Sequence, residues 1–101
     1  MARLDVYPAP GRDAVGYVVD VQSDTLTDLA TRVVVPLLPE ATARVPIGRL
    51  NPVFEINGER CVLIVQAIAT VPRQVLRGAV ASLKDQRDPV LTVIDFLLPG
   101  F

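Results

Sequence analysis

The chain has 101 residues, half of them apolar, with 10 basic and 11 acidic side chains, a formal net charge of −1 and no histidine. That length argues for one domain over 1–101 rather than two cores, and the balanced charge argues against a basic stripe that collects phosphates, hence against direct nucleic-acid binding. The missing histidine removes the Ser-His-Asp arrangement and the imidazole metal ligand together.

Residues 3–7 alternate, with Leu4 and Val6 on one face and Arg3, Asp5 and Tyr7 on the other, until Pro8-Ala9-Pro10-Gly11 stops the ladder. A second, antiparallel strand is predicted over 16–22, with Tyr17, Val19 and Val21 opposed to Val18, Asp20 and Gln22, and Ser23-Asp24-Thr25 turning the chain. Residues 31–35 read as a central strand, β-branched on both faces, with Pro36 marking its end or a bulge because proline donates no ladder hydrogen bond. The stretch 39–52, with several prolines and no steady period, reads as a long surface loop with at most a turn of helix at 40–42.

The sharpest local signal is Asn57-Gly58, which suits a two-residue type I′ hairpin. That turn sets Glu55 opposite Arg60 and Phe54 opposite Cys61, an opposite-charge pair on one face and an apolar pair on the other. Residues 63–71 continue as one bent strand or two, closed by Pro72. The spacing of Val71, Val75, Leu76, Ala79, Val80 and Leu83 predicts a helix, against the tendency of Gly78 and the valines. Leu83, Val90, Leu91, Ile94, Leu97 and Leu98 predict a clearer amphipathic helix at the C-terminus. Its start is either a capping box from Ser82 and Asp85 or an N-cap at Asp88 followed by Pro89; Pro99-Gly100 ends it and leaves Phe101 free.

The single Cys61 cannot close an intrachain disulfide, the first residues carry no leader pattern, and the longest apolar runs, 33–38 and 61–65, are strand-sized. A cytoplasmic protein without a membrane span is expected. An apolar surplus on so small a chain favours a homodimer. No metal site, cofactor-binding loop or catalytic set is visible, so no cofactor is expected. Cys61 reads as a buried thiol rather than a nucleophile, and Asp85 with Asp88 as complements to a helix dipole. One enzymatic arrangement stays open: Arg32, Arg73, Arg77, Glu55 and Thr70 could serve a metal-free ribonuclease if the fold clustered them, the plainer reading being solvated charges on β faces.

Several runs resemble the CcdB toxins of toxin-antitoxin systems: V-V-D-V-Q-S-D at 18–24, R-V-V-V-P-L at 32–37, L-N-P-V-F-E-I-N-G-E at 50–59, A-T-V-P at 69–72 and V-A-S-L at 80–83. The resemblance implies a mostly β (α+β) fold, a small SH3-like antiparallel barrel with a C-terminal helix, CcdB/MazF-like and homodimeric. It implies a toxin that catalyses nothing itself, binds the A subunit of DNA gyrase, traps the gyrase-cleaved DNA complex and is neutralised by a CcdA-like antitoxin. Carried over by position, the gyrase-binding residues are Thr25, Leu26, Asp95, Leu98, Pro99, Gly100 and Phe101. The family's usual Trp-Gly-Ile end is here Pro99-Gly100-Phe101, which retains the glycine and lacks the large aromatic anchor. Dimer packing is the competing role for Leu98 and Phe101, and an ordinary polar turn the competing role for 20–24. A MazF-like metal-independent endoribonuclease and a CcdB-like dimer that has lost poisoning are the alternatives. The Gly-Asp-Ile-like start and Arg-Pro pair usual in the MazF group do not occur here.

Overall fold

Alternating apolar runs punctuated by proline, glycine and Asx turns fold into short strands in the computed structural model, which describes residues 2–26, 28–44, 48 and 50–98. The strands are β1 (Asp5–Pro8), β2 (Tyr17–Asp20), β3 (Thr31–Pro39), β4 (Val53–Ile56), β5 (Glu59–Leu63), β6 (Ala69–Pro72) and β7 (Ala81–Ser82), and the helix α1 spans Arg87–Leu97. Their order in the sheet is β4-β5-β3-β2-β1-β7, with β6 on a separate stretch of β3, and every pairing is antiparallel. The sheet curls into a nearly closed barrel with the helix at the C-terminus, as expected for a mostly β chain of this kind.

The hairpin register follows the Asn57-Gly58 prediction: Phe54 pairs with Cys61 and Glu55 with Arg60, and both turn residues take positive φ, 50° and 85°. The expected charge pair across it does not form as an ion pair. Arg60 instead reaches Glu40 in the turn after β3, Nη2 to Oε2 at 3.0 Å. Glycine is required at Gly16, where φ is +86° and a Cβ would stand 2.6 Å from the Leu37 carbonyl oxygen.

β3 runs through Pro36 rather than stopping there. The Pro36 carbonyl accepts from the Ile64 N–H at 2.9 Å, so the missing N–H faces the same side, where β3 exchanges β6 for β5 as its neighbour. No ladder donor is lost at that point. The turn at 40–42 forms, with the Thr42 and Ala43 N–H groups donating to the Pro39 carbonyl at 2.8 and 2.9 Å. Residues 63–71 divide into two strands separated by a 3-10 turn, Val65–Ala67.

The helix predicted over 71–83 is not formed. After β6 comes a 3-10 turn, Arg73–Val75, and then extended chain into β7. Gly78 takes φ +66°, outside the helical region, and Leu76 is buried as an extended residue against the outer face of the sheet. Its burial there is what the helix-like spacing could not distinguish from a helical face. At the first strand, Leu4 lies at φ 72° and the ladder begins one residue later.

The main core lies between the sheet and α1, where Val6, Val19, Val35, Leu37 and Leu63 meet Val90 and Val93. α1 begins at Arg87 after a 3-10 turn, Lys84–Gln86, so Asp88 and Pro89 sit inside its first turn rather than at its boundary. Ser82 Oγ accepts from the Lys84 N–H at 3.2 Å, just ahead of the 3-10 turn, whose N-cap position is Leu83, so the capping box expected from Ser82 and Asp85 does not start α1. Val93, absent from the predicted stripe, is buried, whereas Leu91 and Leu98 are half-buried. Tyr7, Val18, Val34 and Leu76 form a second, smaller cluster on the other face.

Candidate functional site

The segment 20–26 is built outward from a buried charge. Asp20 and Arg32 are both fully buried and ion-paired, with Arg32 Nε donating to Asp20 Oδ2 at 2.8 Å. The solvated-charge reading of Arg32 is therefore overturned. Burial raises the Asp20 carboxyl above its ordinary range, against the opposing pull of the Arg32 side chain and the Gln22 N–H. Asp20 Oδ1 accepts that N–H at 3.0 Å. Gln22, also buried, then bridges outward: its Oε1 accepts from the Val33 N–H at 3.1 Å and its Nε2 donates to the Leu26 carbonyl at 2.7 Å.

The exposed tip thus hangs from a polar network rather than from side-chain packing. Asp24–Leu26 forms a 3-10 turn closed by the Leu26 N–H on the Ser23 carbonyl at 2.9 Å, and the Ser23 and Thr25 hydroxyls bond each other at 2.9 Å. Asp24 Oδ1 accepts from the Arg3 N–H at 2.8 Å, tying the turn to the start of the chain. Leu26 stands 48 % exposed at the tip, where nothing in the described structure buries it. The sequence-predicted residues Thr25 and Leu26 are accordingly together on one held turn.

Asp95 and Leu98 lie at the other end of α1, Asp95 exposed and Leu98 half-buried, with the Leu98 N–H donating to the Ile94 carbonyl at 2.8 Å. Phe96, between them, is 56 % exposed. Pro99, Gly100 and Phe101, the rest of the predicted contact set, lie outside the described residues. What faces the 24–26 turn is the start of α1, not its end. Arg3, Leu4, Ser23, Asp24, Thr25, Lys84 and Arg87 line one cleft of about 420 Å³. With 1.5 Å of rise per residue, Asp95 is roughly 12 Å further along the helix from Arg87.

Sequence reasoning missed the positioning roles of Asp20, Gln22 and Arg32, although all three lie in the two runs that carry the family resemblance, 18–24 and 32–37. It also missed the convergence of Arg3, Lys84 and Arg87, for which no sequence pattern exists.

The ribonuclease candidates are not brought together. Arg32 is sequestered, Thr70 projects to the opposite face from Arg32 because it pairs with Val33, and Glu55 is on β4, separated from β6 by β5 and β3 in the sheet. The Cys61 thiol is buried and its pKa is raised by desolvation and by the Glu59 carboxylate, which fits an unreactive thiol. Among the described residues no group of three or more Cys, Asp or Glu could hold a metal ion, and no helix is long and apolar enough to cross a membrane.

A curled antiparallel barrel with one C-terminal helix and an exposed turn held over its rim defines a CcdB/MazF-like fold. The family model described as CcdB protein matches residues 3–100, and the chain belongs to the CcdB family. Among solved structures it is similar to an endoribonuclease in complex with its cognate antitoxin from a mycobacterial species. The TM-score is 0.79 at 13 % identity, covering 100 % of this chain and 97 % of that one. At that identity the likeness is one of fold. A search of curated proteins by sequence found no match.

Proposed function

We propose that this chain is the toxin of a type II toxin-antitoxin module, a homodimer that binds the A subunit of DNA gyrase, traps the gyrase-cleaved DNA complex and is neutralised by a small antitoxin. Family membership over 3–100 supports the toxin reading. The observation that carries the binding mode is the exposed turn Asp24–Leu26, held on the buried Asp20–Arg32–Gln22 network and presenting an apolar tip that the fold does not use. A turn fixed before binding loses little conformational entropy on contact, which suits recognition rather than turnover. Thr25 and Leu26 form one part of the contact set, and Asp95, Leu98, Pro99, Gly100 and Phe101 the other. Expression in bacteria should arrest growth and leave protein-linked broken DNA; arrest with intact DNA and degraded transcripts rejects this reading.

A second reading, a metal-independent endoribonuclease, is favoured by the fold neighbour, itself an endoribonuclease bound to its antitoxin. The dispersal of Arg32, Thr70 and Glu55 weighs against it. Incubating the purified protein with RNA and a chelator decides between the two, since cleavage would establish the enzyme. Pro99→Trp tests whether poisoning has been lost through the altered end: stronger gyrase binding by the variant supports that account, and unchanged binding rejects it.

A further inference from the structure

On the outer face of the sheet one buried side chain is only half used. Arg32 has no exposure to solvent, and its guanidinium meets Asp20 along one edge: Nε donates to Asp20 Oδ2 at 2.8 Å and Nη2 lies against the same oxygen. Nη1 and Nη2 make no hydrogen bond among the described residues. The edge they form is a fork of two donors, the shape that takes an oxyanion by paired hydrogen bonds. Buried donors without an acceptor are rare in folded proteins, and each calls for an explanation.

What covers this face is thin. Arg32 pairs across the ladder with Val71 and Asp20 with Val34, and Val71 and Val34 pack with Tyr7, Val18 and Leu76. Leu76 is the one member of that cluster from outside the strands. It sits on a strap, residues 73–79, that joins β6 to β7, and among residues 72–80 only Leu76 is buried. The strap is tied at its ends, where the Arg73 N–H donates to the Ala30 carbonyl and the Val80 N–H to the Val6 carbonyl, both at 2.8 Å. Between those ties the Leu76 N–H and Arg77 Nε bond within the strap, to the Arg73 and Gln74 carbonyls at 3.2 Å each. Gly78, at φ +66° with open space around it, supplies a pivot. A segment with one apolar anchor and few bonds to its surroundings opens at a lower free energy than the whole fold. Leu76 also lines a surface cavity of about 380 Å³ with Ala30, Arg73 and Gln74, so the anchor stands between solvent and the buried face.

We propose that the strap is a plug over a binding site for a small free oxyanion of the phosphate class, which enters from this cavity when Leu76 lifts and bridges Arg32 Nη1 and Nη2. Asp20 keeps the Nε edge, so the anion does not have to displace it. The surroundings suit the charge: Arg73 lines the entrance, Arg77 rides on the strap, and residues 71–83 contain no carboxylate. A polymer is excluded by the same geometry, since the strap stays bonded at both ends. The site does not depend on gyrase being the target.

The test is a titration of nitrogen-15-labelled full-length protein with inorganic phosphate, ionic strength held constant with sodium chloride, read at the Arg32 Nε–H and the backbone amides. The Arg32 signal and the amides of 73–79 should move with phosphate. Leu76→Ala removes the plug, raises the open fraction and should tighten binding by about tenfold or more, because apparent affinity scales with the competent fraction. Val75→Ala, at an exposed position on the same strap, should leave it unchanged. No shift at Arg32, an equal shift with chloride alone, shifts confined to surface cations such as Lys84, or binding by Leu76→Ala no tighter than by the parent overturns the proposal. Hydrogen exchange of the parent gives a readout that needs no variant: the Arg32 Nε–H should exchange faster than the amides of Val35 and Leu37, which wait for global unfolding. Exchange as slow as theirs would show that the strap does not open by itself and would overturn the proposal as well.

Discussion

The two faces of the sheet are built on different physics. Between the sheet and α1 the core is apolar throughout, with Val6, Val19, Val35, Leu37 and Val90 fully buried, and burial of hydrocarbon is non-directional. On the other face the buried group is an ion pair, Asp20 with Arg32, near Tyr7, Val18, Val34 and Leu76. Charges taken out of water are held by geometry, and their net contribution to stability is small or negative compared with well-packed hydrocarbon. The apolar face therefore accounts for the stability of the fold, while the polar face fixes the position of one surface turn.

The largest effect should come from breaking the ion pair on one side only. Arg32→Ala strands a buried carboxylate and should cost about 3–5 kcal/mol in urea unfolding, whereas replacing Asp20 and Arg32 together by apolar residues of similar size should cost far less. Equal losses in the two experiments would contradict this description of the pair. Beyond the ion pair itself, Arg32 Nη1 and Nη2 make no hydrogen bond among the described residues, so the pair is only partly satisfied, which is why its double replacement is expected to be mild.

On the apolar face, Leu37→Ala should cost about 2–5 kcal/mol through lost transfer energy and a cavity, yet leave the amide shifts of 24–26 in place. Gln22→Ala sharpens the contrast from the opposite side. It should cost about 1–3 kcal/mol by leaving the Val33 N–H without its acceptor, and should disorder the 24–26 turn, seen as faster amide exchange there. If the turn were as protected in this variant as in the parent, the network would not be what holds it.

The smallest effect is in pH. Burial, together with the Asp5 and Asp20 carboxylates, raises the Tyr7 phenol above its ordinary 10.0. Since the folded value is the higher one, the stability this contributes is complete below pH 10 and is lost as pH climbs through the raised value. Thermal melts across the alkaline range should show that loss in the parent and a shallower one in Tyr7→Phe.

What was legible in the sequence divides along the same line. The hairpin at Asn57-Gly58 could be read residue by residue because its register is set by two adjacent backbone angles. The run through Pro36 could not, because the effect of a missing N–H depends on which strand faces it, and that neighbour lies about thirty residues away in sequence. Leu76 misled because apolar spacing matches both a helical face and an extended segment closing over a second cluster. Arg32 reads as a solvated charge and Asp20 as part of a polar turn, because nothing local in the sequence brings together two residues twelve positions apart. The exposed turn at Thr25 and Leu26 was anticipated from Ser23-Asp24-Thr25, whereas the cleft beside it was not, since Arg3, Lys84 and Arg87 are neighbours only after the barrel has curled.

β6 has consequences for how the protein behaves at high concentration. It is bonded to β3 on one side, only four residues long, exposed at Ala69 and Thr70, and closed by Pro72, which has no N–H to offer. A strand so short and so ended is a poor template for another chain to extend. Mixed-up assemblies seeded along that rim are thereby discouraged, and a protein with half its residues apolar can be crowded without polymerising through it.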